Sequence, residues 1–223
     1  MKICIVIPTY NEAKAIGSLI RKIRQQELEV VVIDDGSRDN TAEIAKDNGA
    51  IVLRNQINEG KGASLIKGFH YAVSRDFDAV ITMDGDGQHL PEEIPYFIRL
   101  ATYSDSGIFI GNRMPKIKTM PYIRILTNKF MSWLISLVVK QNIPDTQCGF
   151  RLIKKGVLER INLRTSKYET ESETIIKASR LGFKIESIPI KTVYEGEKSQ
   201  INPVIDTLRF IKFILAELWT TKA

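Results

Sequence analysis

Apolar positions in the first hundred residues follow two alternating rhythms. Short unbroken runs, KICIVIP, VVVID (30–34), AIVLRN and AVITMD, have the length and β-branched content of buried strands. Between them, apolar residues return every three or four positions. Glu12 to Gln26 carries Ile16, Leu19, Ile20 and Ile23 on one helical face. SRDNTAEIAKDNG reads as a helix entered through polar capping residues and stopped at Gly49, and residues 60–75 as a helix with a glycine-rich entry. PEEIPYFIRLA reads as a further helix, started by Pro91 and its acidic neighbours. This alternation predicts an α/β fold with a mostly parallel central sheet and helices on both faces.

Beyond residue 107 the rhythm loosens. GIFIGNR predicts a strand, 121–140 a helix, and GFRLIKKGVLERI a strand or turn leading into a helix. TESETIIKASRLG predicts a helix with a Gly182 stop, and FKIESIPIKTVY a strand. No internal repeat or low-complexity linker interrupts the chain, so one domain is expected over 1–202, followed by a C-terminal amphipathic helix within 203–223. That helix has a wide apolar arc. Val204, Leu208, Ile211, Leu215 and Leu218 form one stripe, broadened by Phe210, Ile214 and Trp219, against a narrower polar side of Asp206, Arg209, Lys212 and Glu217. Such an arc suits a membrane surface, a partner's groove or the helix's own domain, and the apolar segment 130–139 would shape a lipid-facing groove with it.

Composition narrows the class. With 43% hydrophobic residues in 223, the chain can bury a full core. Its first apolar run ends at Thr9–Glu12, too soon for a secretory signal, and no stretch holds the roughly 18 uninterrupted apolar residues of a membrane span. Cys4 and Cys148 are spaced for neither a disulfide framework nor a metal set, which points to a reducing cytosol. The net charge of +6 is unevenly spread. Residues 1–111 hold 12 Lys and Arg against 16 Asp and Glu, whereas 112–223 hold 20 against 10. An acidic front and a basic back suit a cation site followed by an anion-binding surface; solvated surface lysine is the plainer alternative.

Ligands of an open parallel sheet bind beyond the carboxyl ends of its strands, and three polar clusters fall there. In DGDGQH, Asp84, Asp86 and Gln88 stand two apart, hard oxygen donors suited to Mg²⁺ or Mn²⁺ shared with a substrate phosphate. Gly85 and Gly87 permit a tight turn. A calcium loop is excluded, because its sixth position would be His89 and its twelfth Pro95. A plain acidic turn stays open. Asp34 and Asp35 form a second pair; adjacent like charges do not share one buried site comfortably, so one faces a ligand and the other caps the next turn, unless the pair only caps. Pro8 to Glu12 offers stacking and hydrogen bonding to a nucleoside. Asn58 to Gly62, with Lys61, reads as a phosphate-touching loop without full P-loop spacing. His70 and His89 read as structural.

The motifs IVIPTYNE, VVIDDGS, NEGKG, MDGDGQH, GNR and DTQCGFRLIKK, in this order and spacing, resemble family 2 glycosyltransferases. The resemblance is closest to the branch holding dolichol-phosphate mannosyltransferase and other polyprenyl-phosphate glycosyltransferases, and covers about residues 2 to 215. It implies a nucleotide-diphospho-sugar transferase fold and inverting transfer from a nucleotide sugar, with Mg²⁺ or Mn²⁺ on the diphosphate. Carried over by residue, it puts Pro8, Tyr10, Glu12, Asp34 or Asp35, and Lys61 at the donor. Asp84 would lie near ribose, diphosphate and metal, and Asp86 and Gln88 would be metal ligands. Arg113 and Arg124 would face the acceptor phosphate, acting with Asp86 as the catalytic set, and Lys198 and Ser199 would lie over the diphosphate. Gly85, also at the donor, departs from the alanine usual in the mannosyltransferases, which loosens the donor's identity. The implied reaction moves mannose or glucose onto a polyprenyl phosphate. The protein would sit peripherally on the cytoplasmic face of a membrane, with or without a membrane-protein partner, and with no nucleic acid. Two rivals remain. A hydroxyl acceptor would need a carboxylate base from Glu169, Glu171 or Glu173, residues that otherwise make a solvated helix N-terminus. A sugar-nucleotide-binding module would bind without turnover.

Overall fold

The structure, a computed structural model, describes residues 1–116, 122–192 and 203–220. Strands β1 (Ile3–Thr9), β2 (Glu29–Asp34), β3 (Ile51–Arg54), β4 (Ala79–Thr82), β5 (Ile108–Asn112), β6 (Arg151–Lys154) and β7 (Ile185–Pro189) join in one sheet, in the order β3-β2-β1-β4-β6-β5-β7. The helices are α1 (Ile16–Arg24), α2 (Thr41–Asp47), α3 (Lys61–Ser74), α4 (Ile94–Tyr103), α5 (Tyr122–Val139), α6 (Lys155–Leu158), α7 (Glu169–Arg180) and α8 (Pro203–Thr220). Every residue of β1 is buried, which is why its sequence is a continuous apolar run rather than an alternating one.

The chain leaves β1 for β2 and β3, then returns to lay β4 on β1's other side, so the sheet's switch point lies between β1 and β4. Register brings the strand ends level: Thr9 pairs with Asp34, Asp34 with Arg54, and Val6 with Thr82. The sheet is mostly parallel, as predicted; the exception is β6, antiparallel to both β4 and β5. Because Arg151 pairs with Thr82, β6 begins where β4 ends. That reversal delivers residues 145–150 to the switch point.

Two helices differ from the pattern-based reading. α1 starts at Ile16 rather than Glu12, because the backbone amides of residues 11–13 donate to side chains across the site. α8 docks through Phe210 and Ile214, which join the hydrophobic core, whereas Leu215 from the expected stripe is 59% exposed. Arg180 of α7 clasps its end, donating to the Glu217 carboxylate at 2.5 Å and carbonyl at 2.8 Å. A nearly all-round apolar arc leaves the docking face undetermined; here α8 rests on its own domain. By length and composition α5 is apolar enough to cross a bilayer, yet Met131, Ser132, Ile135 and Val139 are buried along one side. Cys4 and Cys148 are free and buried, and burial pushes both thiols up to about 12.

Candidate active site

The first strand-end cluster is built by loops that bind one another. Asn11, held at φ 59°, donates its backbone amide to Ser37 Oγ at 2.9 Å and accepts from the Arg38 amide at 2.8 Å. The Glu12 amide donates to Thr41 Oγ1 at 2.8 Å, and the Ala13 amide to Asp39 at 3.3 Å. The polar run SRDNT therefore does more than open its own helix; it fixes the loop that carries Tyr10 and Glu12, both half-buried beyond Pro8. Asp34 and Asp35 are buried, and both are taken up by the chain. Asp34 accepts from the Ser37 amide at 3.2 Å and pairs with Arg54 at 3.0 Å. Asp35 accepts from the Glu59 and Gly60 amides at 2.9 and 2.8 Å, and from Asn55 Nδ2 at 2.9 Å. Asp34 thus caps its own turn, and Asp35 holds the loop that leads to Lys61.

The second cluster is arranged differently. Lys61, the first residue of α3, reaches the Asp84 carboxylate at 2.6 Å and Glu171 at 3.3 Å. Burial alone would raise the Asp84 carboxyl, but the Lys61 ammonium, His89 and Arg113 outweigh it and hold the group well below the usual carboxylate range. The same carboxylates, against burial, keep Lys61 charged far into the alkaline range. His89 is buried, accepts the Asp84 amide on Nδ1 at 3.2 Å, and is driven down to about 4 by burial against the opposing pull of Asp84. It is a neutral structural group, as the sequence suggested; His70 is exposed. Gln88 donates its amide to Asp86 Oδ1 at 2.9 Å, closing the turn, and Gly87 supplies φ 75°. Asp86 and Gln88 are half-buried and line a cavity of about 360 Å³ with Lys14, Ser18 and Lys22.

Glycines set the fit around this turn. A Cβ on Gly149 would lie 2.5 Å from Asp84 Oδ2, so only glycine leaves room for that carboxylate. A Cβ on Gly85 would lie 2.7 Å from the Thr9 methyl, which fills the space an alanine would use.

Arg113 is buried and paired with Asp145. Its Nε and Nη2 donate to the two carboxylate oxygens at 2.7 and 2.9 Å, and its backbone amide adds 3.1 Å. Arg124 lies half-buried in the first turn of α5, while Lys198 and Ser199 fall outside the described residues. Arg151, buried, donates to the carbonyls of Thr146, Cys148 and Glu171 at 2.8, 2.8 and 2.6 Å. The start of α7 is not the solvated terminus considered above. Glu173 accepts from the Arg164 and Thr165 amides and the Thr165 hydroxyl, with Lys177 at 2.5 Å. Burial raises its carboxyl, and those donors more than reverse the effect. Asp145, Gly149 and Arg151 stand inside the motif DTQCGFRLIKK, but their roles toward Arg113, Asp84 and Glu171, like the Lys61–Glu171 contact, escape a reading by motif because those partners lie far along the chain. For Lys61 and Glu171 the separation is 110 residues.

Residues 4–161 match the family model described as Glycosyl transferase family 2. UDP-N-acetylglucosamine–dolichyl-phosphate N-acetylglucosaminyltransferase from Methanococcus voltae is 31% identical over 215 residues, spanning 86% of this chain and 86% of that protein. Undecaprenyl-phosphate mannosyltransferase from Micrococcus luteus is 30% identical over 210 residues, spanning 86% and 84%. Among solved structures, M. tuberculosis glucosyl-3-phosphoglycerate synthase gives a TM-score of 0.78 at 21% identity, covering 96% of this chain and 80% of its own. The same synthase in complex with Mn²⁺, UDP and phosphoglyceric acid gives 0.77. The structural likeness is one of fold, that of the nucleotide-sugar transferases.

Proposed function

The chain belongs to glycosyl transferase family 2 and is a glycosyltransferase, and on that premise we propose that it transfers a sugar from a nucleotide-diphospho-sugar to a polyprenyl phosphate, with inversion. The observation that carries the donor side is the convergence at the β1/β4 switch point of an acidic turn, Asp84 to Gln88, with Lys61 seated on it. The acceptor comes from the relatives, two of which are named for transfer onto dolichyl or undecaprenyl phosphate.

In this reading a phosphate oxygen of the acceptor attacks the anomeric carbon while the bond to the nucleotide diphosphate breaks, and the diphosphate leaves with the electron pair. The acceptor phosphate is already an anion, so no general base is needed. Negative charge grows on the leaving diphosphate, where Lys61 supplies a fixed positive charge in a site partly shielded from water. Asp84, Asp86 and Gln88 are the oxygen donors that would hold a divalent cation, Mg²⁺ or Mn²⁺, and that cation would neutralise the diphosphate. Two carboxylates and an amide beside an open cleft fit an ion that keeps waters and shares phosphate oxygens. Among the described residues no three His, Cys, Asp or Glu side chains converge, so a closed all-protein cage is not the design. Tyr10 and Glu12 serve the nucleoside, and Arg113, Arg124, Lys198 and Ser199 the phosphates. The hydroxyl-acceptor alternative is the poorer fit, since Glu171 lies between Lys61 and Arg151 and Glu173 is spent on the 164–165 backbone.

The test is a donor screen with polyprenyl phosphate in detergent, comparing Mg²⁺ and Mn²⁺, with labelled mannose and glucose nucleotides first. Label extracted into organic solvent supports the proposal. Label moving only to water-soluble saccharides, or nucleotide binding with no transfer at all, overturns it.

A further inference from the structure

Asp84 stands where two cations have a claim on it. Lys61 Nζ already lies 2.6 Å from its Oδ1, with the two side chains only 21 and 30% exposed. A divalent ion on the same carboxylate would set a second positive charge close to that ammonium, in surroundings where water screens poorly. One partner has to give way. Asp84 is wedged against Gly149, where a Cβ would come within 2.5 Å of Oδ2, so the carboxylate stays in place. Lys61 carries its charge on a flexible four-carbon stem, and it is the group that can shift.

A second anchor for the ammonium is built in. Glu171 Oε2 stands 3.3 Å from Lys61 Nζ. Glu171 is itself held: buried Arg151 donates to its backbone carbonyl at 2.6 Å and brings Nη2 within 3.9 Å of Oε1. Backbone packing sets this proximity, not the two side chains alone. The Ala63 amide donates to the Ser166 carbonyl at 3.0 Å, and a Cβ on Gly62 would fall 1.9 Å from Thr170 Oγ1, so the starts of α3 and α7 touch. Asp84, Lys61, Glu171 and Arg151 therefore alternate in sign and balance in charge. A cation alone would unbalance that row. A cation together with an anionic diphosphate would not, and the diphosphate gives Lys61 further oxygens to bind.

We propose that Lys61 withholds Asp84 from a divalent cation and yields it when a nucleotide diphosphate is bound, with Glu171 as the positioning residue that keeps the displaced ammonium in the site. The diphosphate and the cation come from the sugar-transfer reading, on which this assignment rests. What it adds is an order: the cation binds tightly only together with the nucleotide. It also gives a task to Glu171, which a phosphate acceptor does not need as a base.

Mn²⁺ titration of the full chain, followed by the electron paramagnetic resonance of the unbound ion and corrected for Mn²⁺ held by nucleotide in solution, tests this without any sugar transfer. The unaltered chain should bind Mn²⁺ about tenfold or more tightly with UDP or GDP than without. Lys61→Met should tighten the binding of Mn²⁺ alone by about tenfold. Lys61→Gln, which keeps a donor for Asp84 without the charge, should do the same and carries the comparison if Lys61→Met fails to fold. Glu171→Gln should weaken the binding of Mn²⁺ alone several-fold, because Asp84 is then the one carboxylate left to the ammonium. Combined with either Lys61 variant, Glu171→Gln should have no further effect. A loss that persists in the combined variant would make Glu171 a mere distant charge and overturn its positioning role. Mn²⁺ binding unchanged in the folded Lys61 variants would overturn the proposal while leaving the transfer reading intact. Binding as expected with no transfer to polyprenyl phosphate would defeat the functional reading alone. No Mn²⁺ binding by the unaltered chain, even with UDP or GDP, would defeat the cation's part in that reading and this proposal with it.

Discussion

Two acidic pairs end the strands on either side of β1, Asp34–Asp35 after β2 and Asp84–Asp86 after β4, and the protein treats them in opposite ways. The first pair is buried and partnered within the chain, with three donors on Asp35 alone, while Asp34 has the Ser37 amide and the Arg54 ion pair. In the second, the Asp84 carboxylate meets the ammonium at the end of a long lysine chain, and Asp86 borders a cleft. A carboxylate held by backbone amides is scaffold, because moving it breaks the loop it organises. A carboxylate matched by a side-chain cation can exchange that partner for another cation. The same residue type beyond the end of a strand is thus tied into the chain's own backbone in one case and set beside a side-chain cation and a cleft in the other.

The largest expected effect falls on the second pair. Asp86→Ala should lower transfer by about a thousandfold, the scale of removing one electrostatic element from a reacting site, while thermal unfolding stays close to that of the parent. Asp35→Ala should do the reverse and lose about 3 kcal/mol of unfolding free energy in urea, as three donors in the 55–60 loop lose their acceptor. If Asp86→Ala destabilised the protein as much as Asp35→Ala does, the contrast between the pairs would collapse.

Glu173 extends the comparison to pH. Its donors hold its carboxyl below the ordinary 4.5, so its contribution to stability is complete above that value and fades as pH falls through the lower, folded-state value. Unfolding free energy should therefore drop less steeply below about pH 5 in Glu173→Gln than in the parent, although the variant is less stable at pH 7. Equal slopes would mean the carboxylate is not ion-paired in solution. The smallest effect is expected at Gly85→Ala, about 1 kcal/mol, because the only close approach of the added methyl is to the end of the Thr9 side chain, with Glu12 and the Pro8 carbonyl at ordinary contact distance. Thr9→Ser should relieve it; donor preference measured on the same pair would show whether this contact reaches the sugar.

Much of this was readable from residue order. The apolar runs of β1, β2 and β4 mark strands buried on both faces, and polar residues right after them mark strand ends, because a sheet core excludes charge whatever the details of packing. The acidic turn of DGDGQH and the family's motifs are likewise local, and the sequence alone determined both the fold class and the family. Which carboxylates are satisfied by the chain was decided only in three dimensions, since the partners of Asp35, Asp84 and Glu171 lie 20 to 110 residues away. The antiparallel β6 brought Gly149 and Arg151 to β4's end, and no periodicity announces that reversal. The fate of the apolar helices was settled in the same way. Both α5 and α8 have more apolar surface than one contact can cover, so hydrophobicity predicted burial without saying which side. Packing chose Phe210 and Ile214 on α8, and left the Tyr122–Leu137 row of α5 facing outward.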